Sequence, residues 1–574
     1  MASSRGSADT ETATSRARSN RITGMILRTG PFFGAMRKLF AVVLIGALSL
    51  SANEISYRSL QSGSASGPTP LHDRGIHGEG QIIAILDTGL DIDNCFFAEY
   101  DAQLPPFNTG TPAGGLDWEN VDFSRRKVIA YDFLFSCDQY PGRPGCDTPG
   151  LAGSYDNQGH GTHSAGAAVG DKGAPIAHDY GDSVAPAAKL IVQDGGYVNG
   201  DLCTQFPGVG CPAKLTPIFE QAYQQGARIH SNSWGDRQGK LQNPPTANYP
   251  QSAYDVDAFV WSHPDSLVIF NTGNLGAKTA TPASSLSAPG SAKNTLQVGG
   301  TRSASRGDDT LAEFTLFGPT RDGRIKPDLV AAARVTAANW DLLDHKPSTC
   351  DVGFDLGTSW SSPTMAGAAA LVRQYYTDGF YPSGKRNASN ARIPSAALMK
   401  ATLIAAARPV LRRADVLTNH TIDALPVPSP EQGWGFPVLD DALYFDGDTR
   451  NMRIVDVPLA QGLAAGESTT IRVRANAGTP LRAVLVWTDP PGTVRNSIAD
   501  TTPQLVNDLD LSVNTSTSND HLNNVEVIKV DEPSGVYDVT VRATRVGFGP
   551  RQSYALVITG DLDDANVRRR VARH

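Results

Sequence analysis

The sequence predicts an α/β fold in which a doubly wound parallel sheet is followed by a small all-β domain. Between about residues 80 and 380, strands that are apolar throughout alternate with helical segments rich in small residues, as expected for parallel strands covered on both faces. From about residue 455, short strands separated by Pro- and Gly-containing turns follow one another. That spacing is typical of a β-sandwich, jelly roll or barrel.

Composition and charge restrict the function classes. The 574 residues are 40% hydrophobic and 19% charged, which is enough apolar material for a large core and excludes a disordered chain. The first 52 residues carry seven basic and two acidic residues, whereas the remainder carries 43 basic and 56 acidic residues, a net charge of −13. A body this acidic is unsuited to nucleic-acid binding, which needs a basic face. No stable protein partner is evident from the sequence.

Residues 1–52 are predicted to be an N-terminal extension and an export signal. The basic segment Met36–Lys38 precedes an apolar run, Leu39–Leu50, that is too short to span a bilayer comfortably, and small residues suited to cleavage follow. We therefore expect a secreted, periplasmic or cell-surface protein. The alternative is a signal that is not cleaved and anchors the protein in a membrane. The polar segment ahead of Met36 is unusual for a signal, so Met36 is a second candidate start.

The predicted elements divide the rest of the chain into three parts, 53–454, 455–562 and a basic tail, 563–574, that we expect to be disordered. Strands of the first part are predicted at Gln81–Leu86, Lys189–Val192, Leu267–Asn271 and Leu296–Val298. Helices are predicted at Thr216–Gln225, Thr364–Tyr376 and Ala396–Ala407. Strands of the second part are predicted at Thr469–Val473, Ala483–Trp487, Leu509–Val513, Val525–Val530, Val536–Ala543 and Tyr554–Ile558.

Three segments supply a carboxylate, a base and a nucleophile. Asp87 follows an apolar strand and precedes a Gly-containing turn; His160 lies at the predicted start of a helix of very small residues; Ser359 follows Gly-Thr just before an Ala-rich helix. Each residue alone has a structural explanation, such as an acid before a turn or a serine cap. His160 and His163 could suggest a metal pair, but there is no HExxH pattern and no third ligand nearby, which disfavours a metallopeptidase.

Together, these segments resemble the signatures of the subtilisin-like serine peptidases of family S8. The order Asp87, His160, Ser359 is the order of that family, and DTG, HGTHSAG and GTSWSSPTMAG are similar to its three sequence signatures. The segment NTGN ends in Asn274 and resembles the oxyanion-hole segment. The segment that contains Ser233, Trp234 and Gly235 is similar to the strand that lines the pocket for the substrate's P1 side chain.

The resemblance implies a serine endopeptidase that cleaves polypeptide substrates through an acyl-enzyme and needs no cofactor for catalysis. Ser359 would be the nucleophile, His160 the general base and Asp87 the carboxylate that orients the imidazole. Asn274 and the backbone N–H of Ser359 would stabilise the oxyanion. The alternative is a catalytically dead relative that binds peptides.

Only 34 residues separate Asn53 from Asp87, too few for a separate inhibitory propeptide.

Further segments resemble the branch of the family typified by the oxidatively stable alkaline protease KP-43, which carries a β domain after the catalytic domain. These segments are Phe317–Thr320, Gly323–Asp328 and Leu505–Leu511. The β domain would either stabilise the catalytic domain or bind a glycan or a surface. Relatives commonly bind structural calcium, for which Asp489, Asp508 and Asp510 are candidate ligands. The alternative is that these are solvent-facing acids on a strand.

The six cysteines predict disulfides in an exported protein. There is no CxxC pair, so a zinc site is not expected. Cys137 with Cys146 and Cys203 with Cys211 each close a short loop, and we predict a disulfide in each. Cys95 and Cys350 are left either as a long-range pair or as free thiols.

Overall fold

The computed structural model describes residues 53–101, 103–109, 116–134, 156, 159–173, 182–195, 214–236, 247–274, 283–302, 310–340, 350–414, 421–497, 499–563 and 569–572. The predicted signal and the predicted disulfides Cys137–Cys146 and Cys203–Cys211 lie outside these residues. Over the described ranges, none of the helices combines the length and the apolar character that crossing a membrane requires.

The helices are α1 (Glu54–Ser62), α2 (His160–Val169), α3 (Thr216–Gln224), α4 (Gln251–Ser262), α5 (Thr358–Thr377) and α6 (Ala396–Ala405). Short 3₁₀ turns lie at His72–Arg74, Ala388–Asn390, Leu439–Asp441 and Leu459–Gln461. The strands up to residue 437 are β1 (Ile82–Asp87), β2 (Phe107–Thr109), β3 (Val128–Phe133), β4 (Lys189–Asp194), β5 (Ile229–Asn232), β6 (Leu267–Asn271), β7 (Leu296–Thr301), β8 (Thr310–Leu311), β9 (Leu329–Ala332), β10 (Arg334–Ala338), β11 (Val352–Leu356), β12 (Ala407–Arg408), β13 (Arg412–Ala414), β14 (Thr421–Asp423) and β15 (Phe436–Pro437).

A central, mostly parallel sheet organises this part of the chain. Its order is β14-β13-β8-β7-β6-β5-β1-β4-β3-β2, with β9 also paired to β7. Strand β1 lies in the middle, parallel to β4 on one side and to β5 on the other. Strands β2 to β4 thus lie on one side of β1. The next strand in the chain, β5, lies on the other side and begins the second half of the sheet. This confirms the doubly wound parallel sheet, and ligands of such sheets bind beyond the carboxyl ends of the strands where the order reverses.

The remaining strands are β16 (Asn451–Val457), β17 (Ser468–Ala475), β18 (Leu481–Val486), β19 (Asn507–Val513), β20 (Ser516–Ser518), β21 (Val525–Val530), β22 (Gly535–Val546), β23 (Tyr554–Gly560) and β24 (Arg569–Ala572). They form two antiparallel sheets, β16-β23-β18-β21 and β20-β19-β22-β17-β24. Strand β16 crosses the boundary predicted at 454/455. The expectation of a disordered tail is wrong for Arg569–Ala572, whose backbone pairs with β17 because that strand would otherwise present an open edge.

The two antiparallel sheets enclose an apolar core of their own and also pack on the α/β part. Leu485, Leu509 and Val541 are among the residues that fill the space between the sheets. Alternate residues of the first sheet, such as Val484 and Val557, belong instead to the large core of the α/β part, where β18 and β23 contact α6. Because side chains alternate across a strand, one sheet supplies both cores.

Candidate active site

Asp87 ends β1 at the point where the sheet order reverses. Its side chain is buried, and its Oδ1 lies 2.6 Å from Nδ1 of His160. The same oxygen accepts the backbone N–H of Thr88 at 2.8 Å, while Oδ2 accepts the hydroxyl of Ser164 at 3.0 Å. These bonds to the charged form fix the carboxylate, so that it can hold one tautomer and one orientation of the imidazole.

His160 is the first residue of α2, and glycines let this helix approach the sheet. Gly159 has φ +75°, and a Cβ there would lie 2.0 Å from the ring of Trp340. A Cβ at Gly161 would lie 2.1 Å from the carbonyl oxygen of Gly89, in the turn after β1. Small residues at these positions are therefore what brings the imidazole within reach of Asp87.

The electrostatics of His160 favour its charged form. Burial by itself lowers the pKa of the imidazole, since it penalises the cation. The charge and hydrogen bond of Asp87 outweigh burial, and the carboxylates of Asp156 and Asp355 act in the same direction. The pKa of His160 is therefore raised above that of an ordinary histidine. Such a group can take up a proton near neutral pH and hold it while a reaction proceeds.

His163, one turn along α2, behaves differently. Burial lowers the pKa of its imidazole to about 4, so the ring is neutral over the physiological range. Its Nε2 lies 3.3 Å from the carbonyl oxygen of Val335, and its ring packs 4.3 Å from that of Trp360. The structure therefore gives His163 a packing role.

Ser359 lies in the first turn of α5, which begins at Thr358 and not at Thr364 as predicted. Pro363 lies inside this helix and has no N–H to donate to the carbonyl of Ser359. The hydroxyl of Ser233 donates to that carbonyl instead, at 2.6 Å, so the helix can continue through the proline. The nucleophile candidate thus sits at the positive end of a long helix.

The structure brings Ser359 and His160 to the same edge of the sheet. Ser233 follows β5, the neighbour of β1, and its carbonyl oxygen lies 3.4 Å from the Ser359 hydroxyl. Trp360, the residue after Ser359, places its ring 4.8 Å from that of His160. Carboxylate, imidazole and hydroxyl therefore come from β1, α2 and α5 and lie at the same carboxyl edge of the sheet, where the Ser359 hydroxyl donates to the Ser233 carbonyl.

Asn274, just after β6, lies beside the start of α5. Its Oδ1 accepts the backbone N–H of Thr358 at 2.8 Å and the Thr358 hydroxyl at 3.0 Å. Its Nδ2 lies 3.5 Å from the position that a Cβ on Gly357 would take. Two hydrogen bonds thus orient the amide by its oxygen, and its nitrogen lies close to Gly357, two residues before Ser359, which suits an oxyanion donor.

The predicted substrate segment lies next to the nucleophile, but its three residues differ. Ser233 supports the start of α5. The ring of Trp234 is buried, 5.3 Å from that of Phe270, so contact with a substrate would come from its backbone. A Cβ on Gly235 would lie 2.6 Å from the hydroxyl of Ser287. The segment after β5 therefore passes close to the segment between β6 and β7.

Sequence reasoning missed Asp156, which holds the region around Asp87 and His160 together. One of its oxygens accepts the Thr88 hydroxyl and the Gly159 N–H, both at 2.8 Å. The other accepts the backbone N–H and hydroxyl of Thr162 at 2.7 and 2.8 Å. An acid four residues before the histidine was the available signal, but acids are common in loops and nothing singled this one out.

An α/β fold that presents a carboxylate, an imidazole and a hydroxyl at the carboxyl edge of its parallel sheet has the architecture of a serine peptidase. A sequence model of the Subtilase family, Peptidase_S8, matches residues 78–435, which is more than half of the chain. The chain therefore belongs to the subtilase family of serine peptidases.

Similar proteins include one from Dictyostelium discoideum named serine protease/ABC transporter B family protein tagA, which is 27% identical over 88% of this chain and 32% of that protein. Serine protease AprX of Bacillus subtilis is 30% identical over 39% of this chain and 50% of AprX. The chain spans 28–32% of the length of the three Dictyostelium relatives that it matches. Among solved structures, the serine protease of Aeromonas sobria covers 89% of this chain and 95% of its own, with 15% identity and a TM-score of 0.41.

Proposed function

We propose that this chain is a serine endopeptidase that cleaves polypeptides through an acyl-enzyme. The observation that supports it most is the 2.6 Å contact between Asp87 and His160 at the edge of the sheet where Ser359 lies in the first turn of α5. A serine hydroxyl is a weak nucleophile until a base removes its proton, and a base acts reliably only when a third group orients it. The site needs no cofactor, because it supplies nucleophile, base and oxyanion donors itself.

The proposed reaction has two halves. In the first, the Ser359 oxygen bonds to the scissile carbonyl carbon as His160 takes the hydroxyl proton, and the carbonyl electron pair moves to the oxygen. Asn274 and the Ser359 N–H donate to that oxyanion. The carbonyl re-forms, the C–N bond breaks and His160 delivers its proton to the leaving amine. In the second half, water replaces the amine and releases the acid, and Ser359 recovers its proton.

Labelling by a fluorophosphonate tests this function. The wild type should form a stable adduct on Ser359, and Ser359→Ala should not. Ser361→Ala is the matched control: it lies in the same turn, but its hydroxyl donates to the carbonyl of Ala331 at 3.3 Å, so labelling should persist. A folded wild type that does not label, and that releases no peptides from casein, would instead be a peptide-binding relative without catalysis.

We also propose that the protein acts outside the cytoplasm, secreted or in the periplasm or at the cell surface. The apolar run Leu39–Leu50 after a basic segment supports this, as does an acidic body suited to polypeptide substrates and not to nucleic acids. N-terminal sequencing of exported protein should find a start close to residue 53. A mature chain that retains Leu39–Leu50 and stays with membranes would show instead that the signal is an anchor.

Residues 455–562 are proposed to be a stabilising β domain, as in the KP-43 branch. The separate apolar core between its two sheets supports a domain, and the packing of one sheet on α6 supports a stabilising role. Removing the chain from residue 451 onward should therefore abolish soluble expression. If the truncated protein remains folded and active on soluble peptides but no longer binds a surface or a glycan, the β domain is a targeting module.

Structural calcium is proposed at Asp508 and Asp510, because subtilases often bind such ions and these two carboxylates lie close together. Oδ1 of each is buried and has no hydrogen-bond partner among the described residues, which suits an oxygen-preferring cation. Both fall in a group with His521, whose ligand atoms all lie within 4.8 Å of one another. Asp489 does not fit, because its oxygens accept the N–H groups of residues 506 and 507 and contact Lys293.

Thermal unfolding with and without a chelator tests this site. Chelation should lower the unfolding temperature of the wild type, and Asp508→Asn with Asp510→Asn should remove that dependence. The exposed Asp531→Asn serves as a control, since its carboxylate only pairs with Lys529 on the surface. An unfolding temperature that chelator leaves unchanged in the wild type would argue against the ion.

A further inference from the structure

The indole of Trp360 contacts the rings of two histidines of α2. Its centroid is 4.8 Å from that of His160 and 4.3 Å from that of His163. The side chain is 2% exposed and shares an apolar cluster with Ala167, Ala332, Val335 and Ala337. Its Nε1 is buried without a hydrogen-bond partner in the part of the chain that the structure describes. The position of this indole is therefore set by ring contacts and packing. No hydrogen bond to a described residue contributes to it.

We propose that Trp360 is a positioning residue that holds the His160 ring against Asp87 and stabilises its imidazolium form through the face of the indole. The proposal rests on the proposed peptidase function. The face of an aromatic ring carries negative charge density, and tryptophan attracts cations within about 6 Å of its centroid more strongly than other residues do. Because this indole is buried, solvent reaches the pair from the side of His160, whose side chain is 31% exposed, and not from the side of the indole.

The timing of the charge on His160 gives this contact a role in catalysis. The imidazole becomes a cation when it takes the proton of Ser359, and becomes neutral again when the leaving amine receives that proton. An interaction that favours the cation therefore acts in the transition state more than in the resting state, which is the condition for raising turnover. Asp87 holds the Nδ1 side of the ring, and Trp360 covers it from the α5 side.

Other charged or titratable groups around His160 must be separated from this effect. Asp87 on β1, Asp156 ahead of α2 and Asp355 on β11 each favour its charged form. His163 on α2 stays neutral because burial lowers its pKa to about 4, so the second ring that contacts the indole carries no competing charge. Variants should therefore change only the ring at position 360 and leave these four groups in place.

The test is a direct titration of His160 by NMR in protein labelled at the histidine Cε1, in the Ser359→Ala background, so that the readout does not depend on activity. Loss of one signal in His160→Gln identifies the resonance. Trp360→Met should lower the pKa of His160 by about 0.5–1 unit, and Trp360→Phe by less, since a phenyl face is weaker but still present. In the active protein, kcat/KM at high pH should fall by about 3- to 10-fold in Trp360→Met, and its acid limb should move to lower pH.

Fluorinated tryptophan supplies a second test that leaves the packing nearly unchanged. Fluorine withdraws charge from the ring face, so global 5-fluorotryptophan should lower the pKa of His160 in the Trp360 protein but not in Trp360→Phe. Folding is checked by thermal unfolding. A pKa unchanged by fluorination, or lowered equally by Phe and Met, would overturn the proposal and leave Trp360 a packing residue. A wild type without activity would count against the peptidase function, and the titration would still decide the role of Trp360.

Discussion

Hydrogen bonds to the amide oxygen of Asn274 orient its side chain, which positions the amide nitrogen as a hydrogen-bond donor. Thr358 fixes the amide oxygen with two hydrogen bonds, and the amide nitrogen lies close to Gly357, two residues before Ser359. Replacing Asn274 with Leu should lower kcat by roughly 10²–10³ with little change in KM, because the lost donor interacts mainly with the charge that develops in the transition state. Steady-state kinetics on a peptide substrate measure both constants.

Thr358→Val is the control for this prediction. It removes the hydroxyl that supports Asn274 but leaves the backbone N–H of residue 358 and the amide itself. Its kcat should fall much less than that of Asn274→Leu. If a folded Asn274→Leu variant retained full turnover, the oxyanion role would belong to another group.

Oxidation resistance is also decided by single residues. After residue 52 the chain has three methionines, Met365, Met399 and Met452, and each is at most 1% exposed. Sulfoxidation follows exposure, so activity should survive hydrogen peroxide. Trp360→Met places a thioether next to the nucleophile and leaves open part of the space that the larger indole fills, so peroxide can reach the sulfur and this variant should become sensitive. The measurement is residual activity after timed peroxide treatment. Equal and rapid loss in both proteins would indicate a different sensitive residue.

At the scale of elements, several strands were predicted well because a short run of apolar, largely β-branched residues bounded by turn residues is enough to indicate a strand. Leu267–Asn271 and Val525–Val530 have the predicted bounds, and β1 and β4 are close to theirs. The start of α5 was predicted six residues too late, since Pro363 suggests a first turn. The hydroxyl of Ser233, distant in sequence, replaces the missing hydrogen bond.

In the candidate site too, sequence reasoning found the local motifs but not the contacts between residues that are distant in sequence. Local patterns identified Asp87, His160, Ser359 and Asn274, because the family's signatures are contiguous in sequence. The supports of these residues come from other elements: Asp156 holds the loop ahead of α2, and Trp360 covers His160. Pairings between distant elements leave no periodic signal in one sequence, so only the fold reveals them.

The hairpin that leads into α5 is tied to the first half of the sheet by a disulfide. Cys95 bonds to Cys350, which decides between the two alternatives left by the sequence, and Cys350 lies just before β11. The bond spans 255 residues, and removing such a link should lower the free energy of unfolding by about 2–4 kcal/mol. Cys95→Ala, Cys350→Ala and the double variant should be equally destabilised in denaturant titrations.

Thiol counting complements this measurement. Unfolded, unreduced protein should not react with a thiol reagent at Cys95 or Cys350, as judged by peptide mapping. Free thiols at both positions in exported protein, with an unfolding midpoint that reduction leaves unchanged, would contradict the pairing.

At the scale of the whole molecule, a buried ion pair joins the α/β part to the β part. Lys293, just before β7, donates to the carboxylate of Asp489 and to the carbonyl oxygens of Pro490 and Gln504, the latter two at 2.5 and 2.9 Å. Both charged side chains are fully buried. Asn294 adds a hydrogen bond from its amide to the Asp489 carbonyl at 2.8 Å. The two parts are thus joined by buried polar contacts. Removing one group of such a contact leaves the other group buried without its hydrogen-bond or charge partner.

Lys293→Met should therefore destabilise the molecule by about 3–5 kcal/mol, because it leaves the Asp489 carboxylate buried without its counter-charge. Lys385→Met removes an equivalent but exposed pair with Asp446 and should cost less than about 1 kcal/mol. Denaturant titration of both variants measures the difference. Since the pair couples the two parts, Lys293→Met should also loosen the contact between them. We expect a protease to cleave this variant near residue 490 under conditions in which the protein as a whole is still folded. Equal, small losses in both variants would mean that the other contacts between the parts, such as the packing on α6 and the hydrogen bond from Arg482 to Ala407, hold them together without this pair.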